Sequence, residues 1–261
     1  MKAYVINLDR DRDRMAHVIR QGEQLGIPWV RVAAVDKLDQ RIADRAAKGR
    51  PGLLGFTISA GAIACFESHR KAWRLIVESE EPYGAVFEDD VVCSPDLPRF
   101  LSSGDWIPAD GDIVKLETFL ARATVTARPA ASIAERKIVR LYGRHLGACA
   151  YVISRKAAER LLAASEAFAD PVDEFLFNVQ SLQFPRLVLY QVDPAPCIQG
   201  MLLGLDGEEA HLKSSNDRNP EPEKRRVGGG MRRYLARKGT RLWEKGLLLV
   251  GGRERRAIAF R

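Results

Sequence analysis

The chain has 261 residues, 46% hydrophobic and 29% charged, which describes a soluble globular protein with a substantial core and excludes a chain built of membrane spans. Its net charge of +7 is unevenly placed: residues 224–261 carry 13 Lys/Arg against 2 Asp/Glu, while residues 1–223 are mildly acidic at −4. No secretory signal follows Met1, and Cys65, Cys93, Cys149 and Cys197 lack CxxC or zinc spacing, so reduced thiols in a cytosolic protein are expected.

In chain order, Lys2–Leu8 reads as a first strand, and Asp9 is placed to cap a helix running to about Gln24. Gly26-Ile27-Pro28 breaks that helix, and Trp29–Val35 supplies a second strand. Residues 37–57 are polar and glycine-bearing, a loop with one short helix. Between Ser59 and Glu80, the residues Ala62, Phe66, His69, Trp73 and Ile76 step by 4, 3, 4 and 3, which predicts a long helix with one apolar face. Tyr83–Phe87 then reads as a buried strand that runs into Glu88-Asp89-Asp90. A short helix follows Pro95-Asp96, then strands at 112–117, 124–127, 137–142 and 148–154. Helices are expected at 155–165 and 172–179, and a late strand at 186–192. This order predicts a mixed α/β domain over residues 1–223. Gly228-Gly229-Gly230 reads as a hinge to a basic tail at 224–261, in which Leu235, Leu242 and Leu249 recur every seven residues.

Glu88, Asp89 and Asp90 repel one another and cost too much desolvation to lie in a dry core. At a strand end they suit a hard divalent cation such as Mg²⁺ or Mn²⁺, whose ligands are carboxylate oxygens. The blander reading is a solvated acidic turn. No Gly-x-Gly-x-x-Gly and no P-loop occurs, which argues against dinucleotide dehydrogenases and P-loop enzymes. Ser68 and His69 are neighbours on one helix and project about 100° apart, so they do not form a nucleophile–base pair; His69 reads as a satisfied core histidine. A carboxylate-and-metal site without a P-loop leaves nucleotide-sugar transfer, which needs a second carboxylate as base. Asp173 and Glu174, near the start of a helix opened by Pro171, are the candidates, with helix-dipole complementation as the rival explanation.

Several blocks, in order, resemble glycosyltransferase family 25, the bacterial lipooligosaccharide galactosyltransferases and their relatives. They are Val5–Asp9 with Arg14, Arg31–Asp36, Gly61 through Ser68-His69 to Trp73, Val86–Val91, Gly147–Ser154, Pro171–Asp173, and Pro196–Gln199 with Ser214-Ser215. Ala62 stands where the family often has Glu. The resemblance implies a GT-A type nucleotide-diphospho-sugar transferase fold, a mixed central sheet flanked by helices, and an inverting transfer from a UDP-sugar with Mn²⁺ or Mg²⁺. It further implies Asp90 as principal metal ligand with Glu88 in support, Glu88 or Asp89 toward the metal or donor ribose, and Asn7, Asp9 and Arg14 near the nucleotide. Asp173, then Glu174, would be the base, and His211 a further candidate metal ligand.

The expected activity moves a sugar, galactose first among the candidates, from a UDP-sugar to a hydroxyl of a lipid-linked lipopolysaccharide or lipooligosaccharide core. The alternatives are another donor (UDP-glucose or a nucleotide-linked heptose) and a non-catalytic membrane-surface protein that kept the fold. The tail at 224–261 would meet anionic lipid at the cytoplasmic face of the inner membrane. Lacking aromatic interleaving or a recognised module, it is not expected to bind nucleic acid.

Overall fold

The computed structural model describes residues 1–52, 55, 57–204, 238–239, 246, 248 and 251–261. Its centre is an eight-stranded sheet assembled from β1 (Lys2–Asn7), β2 (Trp29–Ala33), β3 (Tyr83–Glu88), β5 (Ile113–Lys115), β8 (Ala131–Ile133), β9 (Arg136–Arg140), β10 (Ala150–Ser154) and β11 (Leu189–Asp193). The order is β2-β1-β3-β10-β5-β11-β9-β8. Helices α1 (Arg12–Leu25), α2 (Gln40–Ala47), α3 (Ala60–Glu78), α4 (Leu97–Ser102), α5 (Arg155–Ala164) and α6 (Val172–Phe177) complete the sandwich. The expected class, a mixed central sheet flanked by helices, is the one found.

The two-residue alternation of strands sorts the core into two layers. Tyr4 and Ile6 of β1, Val86 of β3 and Tyr151 of β10 pack with Phe66, Trp73 and Ile76 of α3 and with α5 and α6. Ala3, Val5, Ala85, Phe87 and Val152 face the other way, onto Val18 of α1 and Leu97 and Phe100 of α4. Helix α3 lies close on β3 because Gly84 has no side chain: a Cβ there would sit 2.5 Å from Ile76 Cγ1. Ser59 caps α3 by accepting from the Ala62 amide.

Strand β1 pairs in parallel with β2 on one side and β3 on the other. The crossover from β1 through α1 runs to β2 on one side, and the next, from β2 through α2 and α3, returns past β1 to β3 on the other, so a crevice opens beyond the carboxyl ends of β1 and β3. Asn7 ends β1 and Glu88 ends β3 at that crevice. Immediately after it, β4 (Val91–Cys93), β12 (Cys197–Gln199) and β6 (Glu117–Thr118) form a small sheet in the order β4-β12-β6.

Several expectations change. The helix expected from Asp9 starts instead at Arg12 behind Asp11, because Asp9 turns outward to pair with Arg31. The single strand expected at 112–117 divides at Leu116, whose amide bonds Ala150 while Glu117 passes to the small sheet. The end of the basic tail is not separate: β13 (Arg253–Ala257) pairs antiparallel with β7 (Arg122–Thr126), and Ile258 is buried in the core. Arg136 draws the terminus in, donating to the Arg261 carbonyl at 2.5 Å and to both oxygens of Asp96 at 2.7 and 2.6 Å. Most of the remaining tail, including the hinge and the leucine heptads, lies outside the described residues. Among the described residues, no helix is long and apolar enough to cross a membrane.

Candidate active site at the end of the acidic strand

Strand β3 delivers Glu88 at its last position, and the turn to β4 carries Asp89 and Asp90. Both aspartates are only 5% exposed. Asp89 is compensated: Arg14 of α1 donates to Oδ1 at 2.7 Å and the Asn7 amide to Oδ2 at 2.8 Å. Burial still raises its pKa, against the pull of Arg14 and Asn7. Asn7 in turn accepts from Arg31 at 3.0 Å, and Arg31 reaches Asp9. The Arg31 hydrogen bond holds Asp9 below the usual carboxylate range.

Asp90 is different. Its Oδ2 lies 3.5 Å from Arg14 Nη2, while its buried Oδ1 has no hydrogen-bond partner among the described residues. Burial first, then the charge of Glu88, push its pKa up to about 8. A buried, singly contacted carboxylate beside two others is a group that a divalent cation satisfies.

Glu88 is held from the opposite side. Its Oε1 meets His69 Nε2 at 3.1 Å and Cys65 Sγ at 3.6 Å, and its Oε2 meets the Gln199 amide at 3.5 Å. Burial opposes its ionisation, yet the His69 bond and the charge of Arg14 hold its pKa below the ordinary value. His69 Nδ1 lies 2.8 Å from the Tyr151 hydroxyl, which also lies 2.8 Å from Trp73 Nε1. The indole N–H only donates, so the Tyr151 oxygen accepts from it; the Glu88 carboxylate accepts from His69 Nε2–H, which leaves Nδ1 of the neutral ring to accept the phenolic hydrogen. In the neutral ring the proton then sits on Nε2 and points at Glu88. His69 is thus a buried, satisfied histidine that also orients the acidic motif. Ser68 is turned elsewhere, accepting from the Val35 amide and donating to the Ala64 carbonyl.

A second buried pair supports the floor. Lys115 Nζ donates to the carbonyls of His145, Leu146 and Gly147 at 2.7, 2.7 and 2.9 Å, and stands 3.9 Å from Glu117. Glu117 accepts from the Cys149 amide at 2.7 Å. Burial lowers the Lys115 pKa and raises that of Glu117. The loop 145–147 so fixed lies against α6, where Asp173 accepts from the Glu174 amide at 2.8 Å. Burial, then the charge of Glu174, raise the Asp173 pKa. Glu174 itself is taken up by Arg144 at 2.7 Å and Asn178 at 2.6 Å.

Ile6, Leu8, Ala34, Val35 and Ala64 give the crevice apolar walls, and Arg10, Arg14 and Lys37 stand beside Glu88 and Asp89 in its lining. Asn7, Arg14, Glu88, Asp89 and Asp90 are thus brought together, with Asp9 joined through Arg31. Asp173 and Glu174 sit on α6, and His211 lies outside the described residues. Sequence reasoning missed Arg31, Lys115, Glu117 and Tyr151. A buried Lys and Glu spaced by two in an apolar strand were the available signal for the second and third.

The family profile described as glycosyltransferase family 25 (LPS biosynthesis protein) matches residues 1–176. The lipooligosaccharide biosynthesis protein lic2B of Haemophilus influenzae is 30% identical over 207 residues, covering 75% of each chain. The lacto-N-neotetraose biosynthesis glycosyltransferase LgtB of Neisseria meningitidis is 30% identical over 232 residues, covering 84% of this chain and 78% of its own. Among solved structures, a glycosyltransferase involved in glycosylation of the PBCV-1 major capsid aligns with a TM-score of 0.41 at 9% identity, over 82% of this chain and 98% of its own. With the profile spanning most of the chain and relatives at this identity, the chain belongs to glycosyltransferase family 25, a glycosyltransferase of lipopolysaccharide biosynthesis.

Proposed function

We propose that the protein is an inverting, metal-dependent transferase that moves a hexose, galactose first among the candidates, from a UDP-sugar to a hydroxyl of a lipopolysaccharide or lipooligosaccharide core. The observation that carries this reading is the buried Oδ1 of Asp90, without a hydrogen-bond partner among the described residues, beside Glu88 at the mouth of the β1–β3 crevice. Asp90 and Glu88 would hold Mn²⁺ or Mg²⁺. Such an ion supplies positive charge against the diphosphate of the leaving nucleotide.

The chain's own residues do the rest. Apolar walls from Ile6, Leu8 and Val35 receive the base, and Arg10 and Lys37 meet the phosphates. Asn7 and Arg14 hold Asp89 in place through the hydrogen bonds that they donate, preserving the acidic rim. Asp173, whose raised pKa brings it nearer neutrality, takes the proton of the acceptor hydroxyl. That oxygen forms its bond to the anomeric carbon as the bond from that carbon to the diphosphate oxygen breaks. The electron pair leaves with UDP and the sugar inverts. Residues 224–250 carry nine Lys/Arg and one acidic residue, suited to an anionic lipid surface where a lipid-linked acceptor resides.

The test is UDP release from a panel of UDP-sugars with Mn²⁺, with and without EDTA, in wild type and Asp90→Asn. EDTA-sensitive release from one donor, lost in the variant, identifies the sugar and the metal role. No release from any donor, with no metal-dependent UDP binding, sinks the UDP-sugar reading and moves attention to other nucleotide donors.

A further inference from the structure

We infer that Cys65, His69 and Glu88 form a binding site for a thiophilic divalent cation, Zn²⁺ in chemical class, distinct from the hard-ion position at Asp90. Cys65 and His69 are four residues apart on α3 and so share one face of the helix. That face meets Glu88 at the end of β3. Cys65 Sγ, His69 Nε2 and a Glu88 oxygen all lie within 4.8 Å of one another. Zinc holds sulfur at about 2.3 Å and nitrogen or oxygen at about 2.0–2.2 Å, so tetrahedral ligands around one ion lie roughly 3.3–3.6 Å apart. The two contacts to Glu88, at 3.1 Å from His69 and 3.6 Å from Cys65, already lie close to that spacing.

The donor set selects the metal. Thiolate and imidazole favour zinc over Mn²⁺ or Mg²⁺, which prefer oxygen alone. One thiolate and one carboxylate neutralise the ion's two charges, so the cluster can sit beside a fully buried His69 without net charge. Cys65 and Glu88 both line the crevice, which gives the ion an entry path and leaves a fourth coordination position open to solvent or an anion. A partner behind the histidine is also in place: Tyr151 lies 2.8 Å from His69 Nδ1.

Binding moves protons in a defined way. The Cys65 thiol proton goes to solvent, the Nε2 proton leaves, and Nδ1 takes up a proton that it donates to the Tyr151 oxygen. The balance is about one proton released per ion, together with a switch of the His69 tautomer. The ion also engages Glu88, the carboxylate assigned with Asp90 to the hard ion. Zinc therefore antagonises the hard ion of the transfer reaction; that consequence alone rests on the transferase reading.

The experiment titrates the full-length, reduced protein with Co²⁺ as a spectroscopic stand-in for Zn²⁺. Expected is a thiolate-to-cobalt charge-transfer band that Zn²⁺ displaces. The band should be absent in Cys65→Ser and kept in Cys93→Ser, which removes half of the cross-strand thiol pair Cys93/Cys197. Asp90→Asn should keep it too. Tyr151→Phe should weaken binding by about 10–100-fold. The ¹⁵N spectrum of His69 should pass from the Nε2–H to the Nδ1–H form with zinc, a readout that a variant's loss of stability does not imitate. No charge-transfer band at saturating Co²⁺, a band that survives in Cys65→Ser, or an unchanged His69 tautomer each overturns the inference. None of these readouts uses transfer activity, so a failed donor screen leaves the ion site standing.

Discussion

Replacing Tyr151 by Phe removes one oxygen and leaves the ring in place, which isolates the hydrogen-bond chain from packing. Trp73, His69 and Tyr151 are each 0% exposed, so water does not repair the loss. The substitution orphans two groups, the Trp73 N–H and the His69 Nδ1 acceptor, each bonded at 2.8 Å in the native protein. An unsatisfied buried polar group costs about 1–3 kcal/mol, and the hydroxyl's own desolvation is recovered, so the expected loss is about 2–4 kcal/mol. Urea unfolding should show a lower midpoint at an unchanged slope, since the area exposed on unfolding is the same. At about 2–4 °C per kcal/mol for a chain of this size, the melting temperature should fall by roughly 4–16 °C. NMR supplies the mechanistic check, because His69 should be Nε2-protonated in wild type and lose that bias in the variant. A loss under about 1 kcal/mol, or a native His69 protonated at Nδ1, would refute the direction assigned to the chain.

Other perturbations test neighbouring parts. Gly147→Ala places a Cβ 2.7 Å from a Glu117 oxygen at a φ of +92°, so it should cost about 2–4 kcal/mol in chemical denaturation. Arg14→Gln removes the cation that touches Asp89 and Asp90, and calorimetry should show a loss of about 3–5 kcal/mol. Arg136→Ala breaks the paired hydrogen bonds to Asp96 and frees the Arg261 carbonyl; about 3 kcal/mol should be lost, with faster proteolysis of the C-terminal strand. Burial opposes ionisation of Asp96, but its bonds to Arg136 outweigh that and depress its folded pKa. The pair's contribution is therefore full above the ordinary carboxylate range and disappears as pH falls through the lower folded value. Acid titration of stability should narrow the gap between wild type and Arg136→Ala by the share that Asp96 supplies, and a gap that stays constant into strong acid would contradict the assignment.

What the sequence disclosed follows from how local each signal is. Strands β1 and β3 and helix α3 were legible because their apolar periods are long and uninterrupted, and Glu88-Asp89-Asp90 because three adjacent carboxylates need an external reason. Strands β4, β12 and β13 were not legible. The first two have three residues each, and β13 reads Arg-Glu-Arg-Arg-Ala, a charged edge that belongs to a sheet only because β7 lies beside it. The partners of the acidic motif were hidden for a related reason. Asn7 and Asp89 are 82 positions apart, and His69 and Tyr151 also 82, so no spacing rule connects them. Lys115 shows the limit most clearly. In a strand it suggests an edge or a solvated end, yet it is wholly buried, its charge spread over three carbonyls and the face of Phe177 at 4.3 Å. Its cost is offset by the three loop carbonyls that it satisfies. The same loop carries Gly147, whose missing side chain leaves room for Glu117. The acidic motif is therefore written in one stretch of sequence, while its geometry depends on buried side chains contributed by other elements, Arg14 from α1, His69 from α3 and Tyr151 from β10, each ordinary when read alone.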